Sequence, residues 1–148
     1  MTDERFIGTW RLSSWVNENE TGALTHPVGG DPVGLLHYAA DGYMFVHIMR
    51  ADRAALSTDA LFGGGAAEQA AAFSSHVAYA GRWEVHGGTM IHRLEVCSVP
   101  NWAGGEQHRT WEFPDRDCLR LSAPMAFGGQ TVMARVTWQR ASSPPPGL

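Results

Sequence analysis

Lysine is absent from this 148-residue chain, and all eleven basic residues are arginine. That excludes a Schiff-base lysine, a phosphate-loop lysine and a lysine general base. Charge of any sign is scarce, at 18% of residues, and fifteen Asp and Glu leave a formal net charge of −4. Such a balance argues against nucleic acid as a partner, because phosphate contacts demand concentrated positive charge. Cysteine is nearly missing too: Cys97 and Cys118 are too few for a disulfide framework. The opening residues MTDERF lack the basic and apolar regions of an export signal, so a reduced, cytoplasmic protein is expected. No run approaches the ~18 uninterrupted apolar residues of a spanning helix, so no membrane span is expected. The length suits one domain with a sizeable core. Monomer and homodimer both stay open.

What is present is a succession of short segments rich in β-branched and aromatic residues, punctuated by turn signals. Strands are predicted over 6–16, 33–39, 43–50, 77–85, 89–99, 106–113, 118–122 and 130–140. Asp41-Gly42 and His86-Gly87-Gly88 mark tight hairpins. One excursion, 51–76, changes period and contains a predicted helix near 66–75, entered through Gly63-Gly64-Gly65. About eight up-and-down strands in one small all-β domain point to a closed antiparallel barrel, which leaves no free edges. A barrel of that size holds one small ligand. The domain is predicted over 1–141, with 142–148 (SSPPPGL) a disordered tail.

Alternation assigns the faces, since every second residue of a barrel strand points inward. Over 77–85 the apolar set is Tyr79, Gly81, Trp83 and Val85; over 89–98 it is Met90, His92, Leu94, Val96 and Ser98, with Cys97 outside. Over 106–113 the inward set is Gln107, Arg109, Trp111 and Phe113, which puts a guanidinium on an aromatic face. An inward charge is costly unless it is paired or presented to a ligand. For 43–50, Tyr43, Phe45, His47 and Met49 are taken as lumenal; the opposite register makes His47 a surface histidine.

The ordered segments GTWRL (8–12), HPVGGDPVGLLHY (26–38), DGYM (41–44) with Met49-Arg50, YAGRWEV (79–85), HRLEV (92–96), PNWAG (100–104), Gln107 with Arg109, and ARVTW (134–138) resemble the bacterial and fungal lipocalin-like domain family. The likeness spans nearly the whole chain. It implies a β-barrel with a buried pocket, plugged at its base by Trp10 with an arginine stacked on it; Arg135 and Arg109 compete for that position. Members often sit in natural-product pathways, where some related barrels are cofactor-free cyclases or isomerases. The chain departs from the family's pattern at His47, Arg93 and Cys97.

The resulting expectation is a lumen that binds a hydrophobic small molecule and catalyses its cofactor-free cyclisation or isomerisation, as on polyketide-like or terpenoid-like intermediates. The alternative is a non-catalytic carrier. His92 is the expected proton shuttle and Arg109 the anion stabiliser, with His47 joining them if it faces inward. Tyr38, Phe45, Tyr79, Trp83, Gln107, Trp111, Asn101 and Trp102 are the expected ligand contacts. No H-x-H, H-E-x-x-H or C-x-x-C spacing occurs, so neither a metal nor a cofactor is predicted.

Overall fold

The computed structural model describes residues 3–141; the tail expected over 142–148 lies outside them. Nine strands and one helix follow in order: β1 (Gly8–Glu18), β2 (Leu24–Thr25), β3 (Val33–Tyr38), β4 (Tyr43–Met49), α1 (Ala66–Ser74), β5 (His76–His86), β6 (Thr89–Cys97), β7 (Glu106–Asp115), β8 (Cys118–Phe127) and β9 (Gln130–Arg140). Neighbours in sequence pair antiparallel, and β1 also pairs with β9, which closes β1 and β3 through β9 into an eight-stranded barrel; β2 is an extra two-residue strand on β1. The expected architecture is therefore the one formed. Among the described residues no helix is long and apolar enough to cross a membrane.

The hairpins β3–β4, β5–β6 and β7–β8 gather at one end of the barrel, and aromatic side chains close that end. Phe6 is fully buried there, edge-on to Tyr38 and Trp111 at ring centroid distances of 6.0 and 5.3 Å, and tilted on Phe113 at 4.9 Å. Trp10 donates its indole N–H to the Phe6 carbonyl at 2.9 Å. The arginine stacked on Trp10 is Arg140, whose guanidinium carbon lies 4.2 Å from the ring centroid, and which donates to the carbonyls of Ile7 and Arg5. Arg135 instead reaches Glu18 at 3.2 Å. Trp83 and Trp111, expected as cavity walls, belong to this plug. Their indole N–H groups donate to the Ala39 and Gly87 carbonyls in the turns beneath.

Two face assignments are corrected by the backbone. In β4 the buried residues are Met44, Val46 and Ile48, whereas Tyr43, Phe45 and His47 face solvent. The cause is hairpin register: Tyr38 pairs with Met44 and Leu36 with Val46, and direct cross-strand partners share a face. Once Tyr38 points inward, Phe45 (56% exposed) and His47 must point outward. The turn itself needs Gly42 at φ 91°, with Asp41 Oδ1 accepting from the Tyr43 amide.

In β6 a bulge at Glu95 shifts the pairing between Ala80↔Val96 and Gly81↔Leu94. Val96 consequently points outward, at 63% exposed, and Cys97 lands opposite Tyr79 instead of among the outer charges. The bulge depends on Gly81, where any Cβ would lie 1.8 Å from the Arg93 carbonyl oxygen. Before the bulge, Arg93 bridges Glu84 and Glu106 on the outer wall.

The excursion between β4 and β5 is tied down by polar groups. Arg53 donates to Ser75 Oγ and the Ala72 carbonyl, and Glu68 accepts from the Gly65 and Ser57 amides. Helix α1 buries no residue against the barrel.

Candidate functional site

Above the aromatic plug lies a cavity of about 230 Å³, walled by Trp15, Leu36, Val46, Ile48, Leu121 and Trp138. At its mouth stand Val28, Ser74, His76, Trp102 and Phe127, contributed by the connections at the open end. It is smaller than the ~300–1,000 Å³ of drug-sized sites, so it suits a compact ligand. A larger hollow of about 590 Å³ lies on the outer wall between Leu35, Phe45, His47 and Val96. Its histidines are bonded to protein: His37 to Thr9 Oγ1 at 2.9 Å, and His47 to His76, with the two Nε2 atoms 3.3 Å apart.

His92 is set on the lumenal face of β6 at 2% exposure, with both ring nitrogens engaged. Tyr38 Oη lies 2.7 Å from Nε2 and Tyr79 Oη 2.7 Å from Nδ1. Burial, and then the Arg109 charge, push the imidazole down to about 3. His92 is therefore neutral at pH 7, with one ring nitrogen donating and the other accepting. Burial raises Tyr38 well above the ordinary phenol range, and raises Tyr79 less, because the Arg109 guanidinium opposes it by charge and hydrogen bonding.

The direction of this chain follows from hydrogen-bond accounting. Tyr38 is fully buried, and among the described residues His92 is the one partner its hydroxyl has. If it accepted from the ring its own proton would stay unpaired, at a cost of about 1–3 kcal/mol. The favoured arrangement is Tyr38 O–H donating to Nε2 and Nδ1–H donating to Tyr79. The Tyr79 hydroxyl proton is then free for the lumen, which Tyr79 lines.

Arg109 lines the same cavity from β7. It donates to Gln107 Oε1 at 3.1 Å and to the His108 carbonyl at 3.2 Å, and among the described residues it forms no ion pair with a carboxylate. The expected cluster of His92, Arg109, Tyr38, Tyr79 and Gln107 is thus assembled in one place, with Trp102 at the mouth. His47 and Phe45 lie on the outer wall, Trp83 and Trp111 in the plug, and Asn101 is exposed beside the mouth without lining it. His76 was not among the expected residues. It opens β5 directly after the helix; pairing with Met49 and ring contact with His47 put its side chain on the outward face at the rim, and burial followed by His47 and Arg53 lowers its titration. Among the described residues no group of three or more metal-ligating side chains occurs.

An enclosed apolar lumen with a few convergent polar groups defines a small-molecule-binding β-barrel. The chain belongs to the lipocalin-like domain family, whose model matches residues 7–141. No curated protein sequence matches it. Among solved structures it is similar to a redesigned β barrel, 12% identical over 94% of both chains with a TM-score of 0.44, and nothing about the site follows from that likeness.

Proposed function

We propose that the lumen binds a compact apolar molecule bearing a carbonyl oxygen and promotes a cofactor-free isomerisation or cyclisation through its enol. The observation that carries this is the oriented chain Tyr38–His92–Tyr79 beside Arg109. Tyr79 offers its proton to the ligand oxygen, and Arg109 stabilises the negative charge that develops there as a carbon-bound proton leaves. His92 is too poor a base to take that proton, since burial holds it neutral; its part is to polarise Tyr79 and define where the phenol proton points. The carbon-bound proton leaves to water at the open mouth of the cavity, and a proton from water is added to a different carbon of the ligand. Atoms balance without any oxidant or cofactor, and the walls supply orientation.

The test is α-proton exchange of 2-tetralone in deuterium oxide, followed by NMR. Acceleration over buffer is expected, falling at least tenfold in Tyr79→Phe and Arg109→Gln. Tight binding with exchange no faster than in buffer would reduce the protein to a carrier.

A further inference from the structure

Resting on the lumenal-binding reading, we infer that the ligand enters as an anion: a compact apolar molecule whose delocalised anionic oxygen pair, a carboxylate or an ionised 1,3-dicarbonyl, sits on Arg109.

Three observations converge on this. Arg109 is the one formally charged residue lining the cavity; no Asp or Glu lines it among the described residues. A guanidinium in an apolar enclosure is costly without a countercharge, and among the described residues it meets only neutral oxygens, those of Gln107, the His108 carbonyl and Tyr79. Of the five N–H donors on a guanidinium, these three contacts leave others unspent in a fixed planar fork that matches a two-oxygen anion.

The rest of the lining also offers donors. The Trp138 indole N–H is buried, belongs to a residue 2% exposed that lines the cavity, and has no hydrogen-bond partner among the described residues. Tyr79 turns its hydroxyl proton toward the lumen, as argued above. A ligand that mainly donates would leave all three unmatched, whereas one rich in acceptors satisfies them. Outside that polar corner the walls are aliphatic and indole, so the body of the ligand is apolar and, at about 230 Å³, small.

Calorimetric titration with unreactive, size-matched pairs tests this independently of any chemistry. trans-Cinnamate is compared with trans-cinnamamide, and the 1,3-indanedione anion with 1-indanone, at pH 8. At least one anion is expected to bind tenfold or more tighter than its neutral partner. The pair showing the preference tells the carboxylate source from the dicarbonyl one. In Arg109→Met and Arg109→Gln the preference disappears while the neutral partners keep their affinity within threefold. In Trp138→Phe, which removes one N–H and little volume, the anion loses about two- to fivefold. Equal affinities within each pair, binding of neither anion at millimolar concentration, or a preference surviving in folded Arg109 variants would overturn the inference. A retained preference with no exchange of tetralone would leave it standing and remove the catalytic reading instead.

Discussion

Arg140 and Arg109 are both guanidiniums placed near aromatic side chains in the same barrel, one sealing the aromatic plug and one lining the cavity above it, and they differ in what surrounds them. Arg140 stacks on Trp10, donates to two main-chain carbonyls and meets Asp117 at 3.2 Å. Among the described residues Arg109 meets no carboxylate, and its partners are the neutral oxygens of Gln107, His108 and Tyr79. The closed end is saturated and behaves as a structural seal. The cavity above it keeps unsatisfied donors inside an apolar wall, an arrangement that a stability-driven core avoids and a binding site uses.

If that contrast is right, deleting mass from the seal has the largest effect. Trp10→Ala should lose about 3–5 kcal/mol, because a fully buried indole leaves a cavity the strands cannot close. Urea denaturation checks it. A loss under about 1 kcal/mol would mean that the plug does not hold the barrel.

The next effect belongs to His92 and depends on pH. Its folded value of about 3 lies below the ordinary ~6.5, so between those values the unfolded chain binds the proton that the folded one refuses. The stability owed to a neutral His92 is therefore intact above about pH 6.5 and declines as pH falls toward 3, by up to about 1.4 kcal/mol per unit. Denaturation midpoints from pH 7 to 4 should fall more steeply for the native chain than for His92→Gln. Parallel slopes would show that the imidazole is not held neutral by its burial.

The arginines themselves give the direct comparison. Arg140→Met should cost about 1.5–3 kcal/mol through its charge-assisted hydrogen bonds. Arg109→Met should cost nothing or stabilise, since removing an uncompensated inward cation relieves desolvation. Thermal unfolding of both variants measures the difference, and equal losses would erase the distinction between seal and cavity.

How much of this was open to sequence reasoning depended on whether a strand's two faces differed chemically. In β7 the alternation Gln107, Arg109, Trp111, Phe113 against Glu106, His108, Thr110, Glu112 is unambiguous, and the lumenal guanidinium followed from it. The early part of β6 was equally clear, and it placed His92 inside. In β4 both parities are apolar, so pattern alone had no preference; register decided, through the pairing of Leu36 and Tyr38 with Val46 and Met44. The Glu95 bulge leaves no periodic mark, because one extra residue inverts the alternation after it, and its local cue was the small residue Gly81 on the facing strand. The division of aromatics between plug and cavity was not legible either. Trp83 and Trp111 share the inward face with lumenal residues and differ from them only in height along the barrel, which face periodicity does not encode.

The smallest expected effect tests that β4 correction. Phe45 sits on the outer wall among Leu35, Val96 and Ala80, and it is 56% exposed although it is a large apolar side chain. On the register seen here, Phe45→Ser removes no cavity wall and leaves no buried void, so stability should stay within about 0.5 kcal/mol. Affinity for a lumenal anion should be unchanged within twofold. Val46→Ser, one residue along, puts a hydroxyl into the apolar lining and removes packed methyl groups, which is expected to cost about 1–3 kcal/mol and to weaken binding. Adjacent positions thus separate the two registers: a large loss at Phe45 with a small one at Val46 would return Phe45 and His47 to the lumen, and with them the alternative in which His47 joins His92.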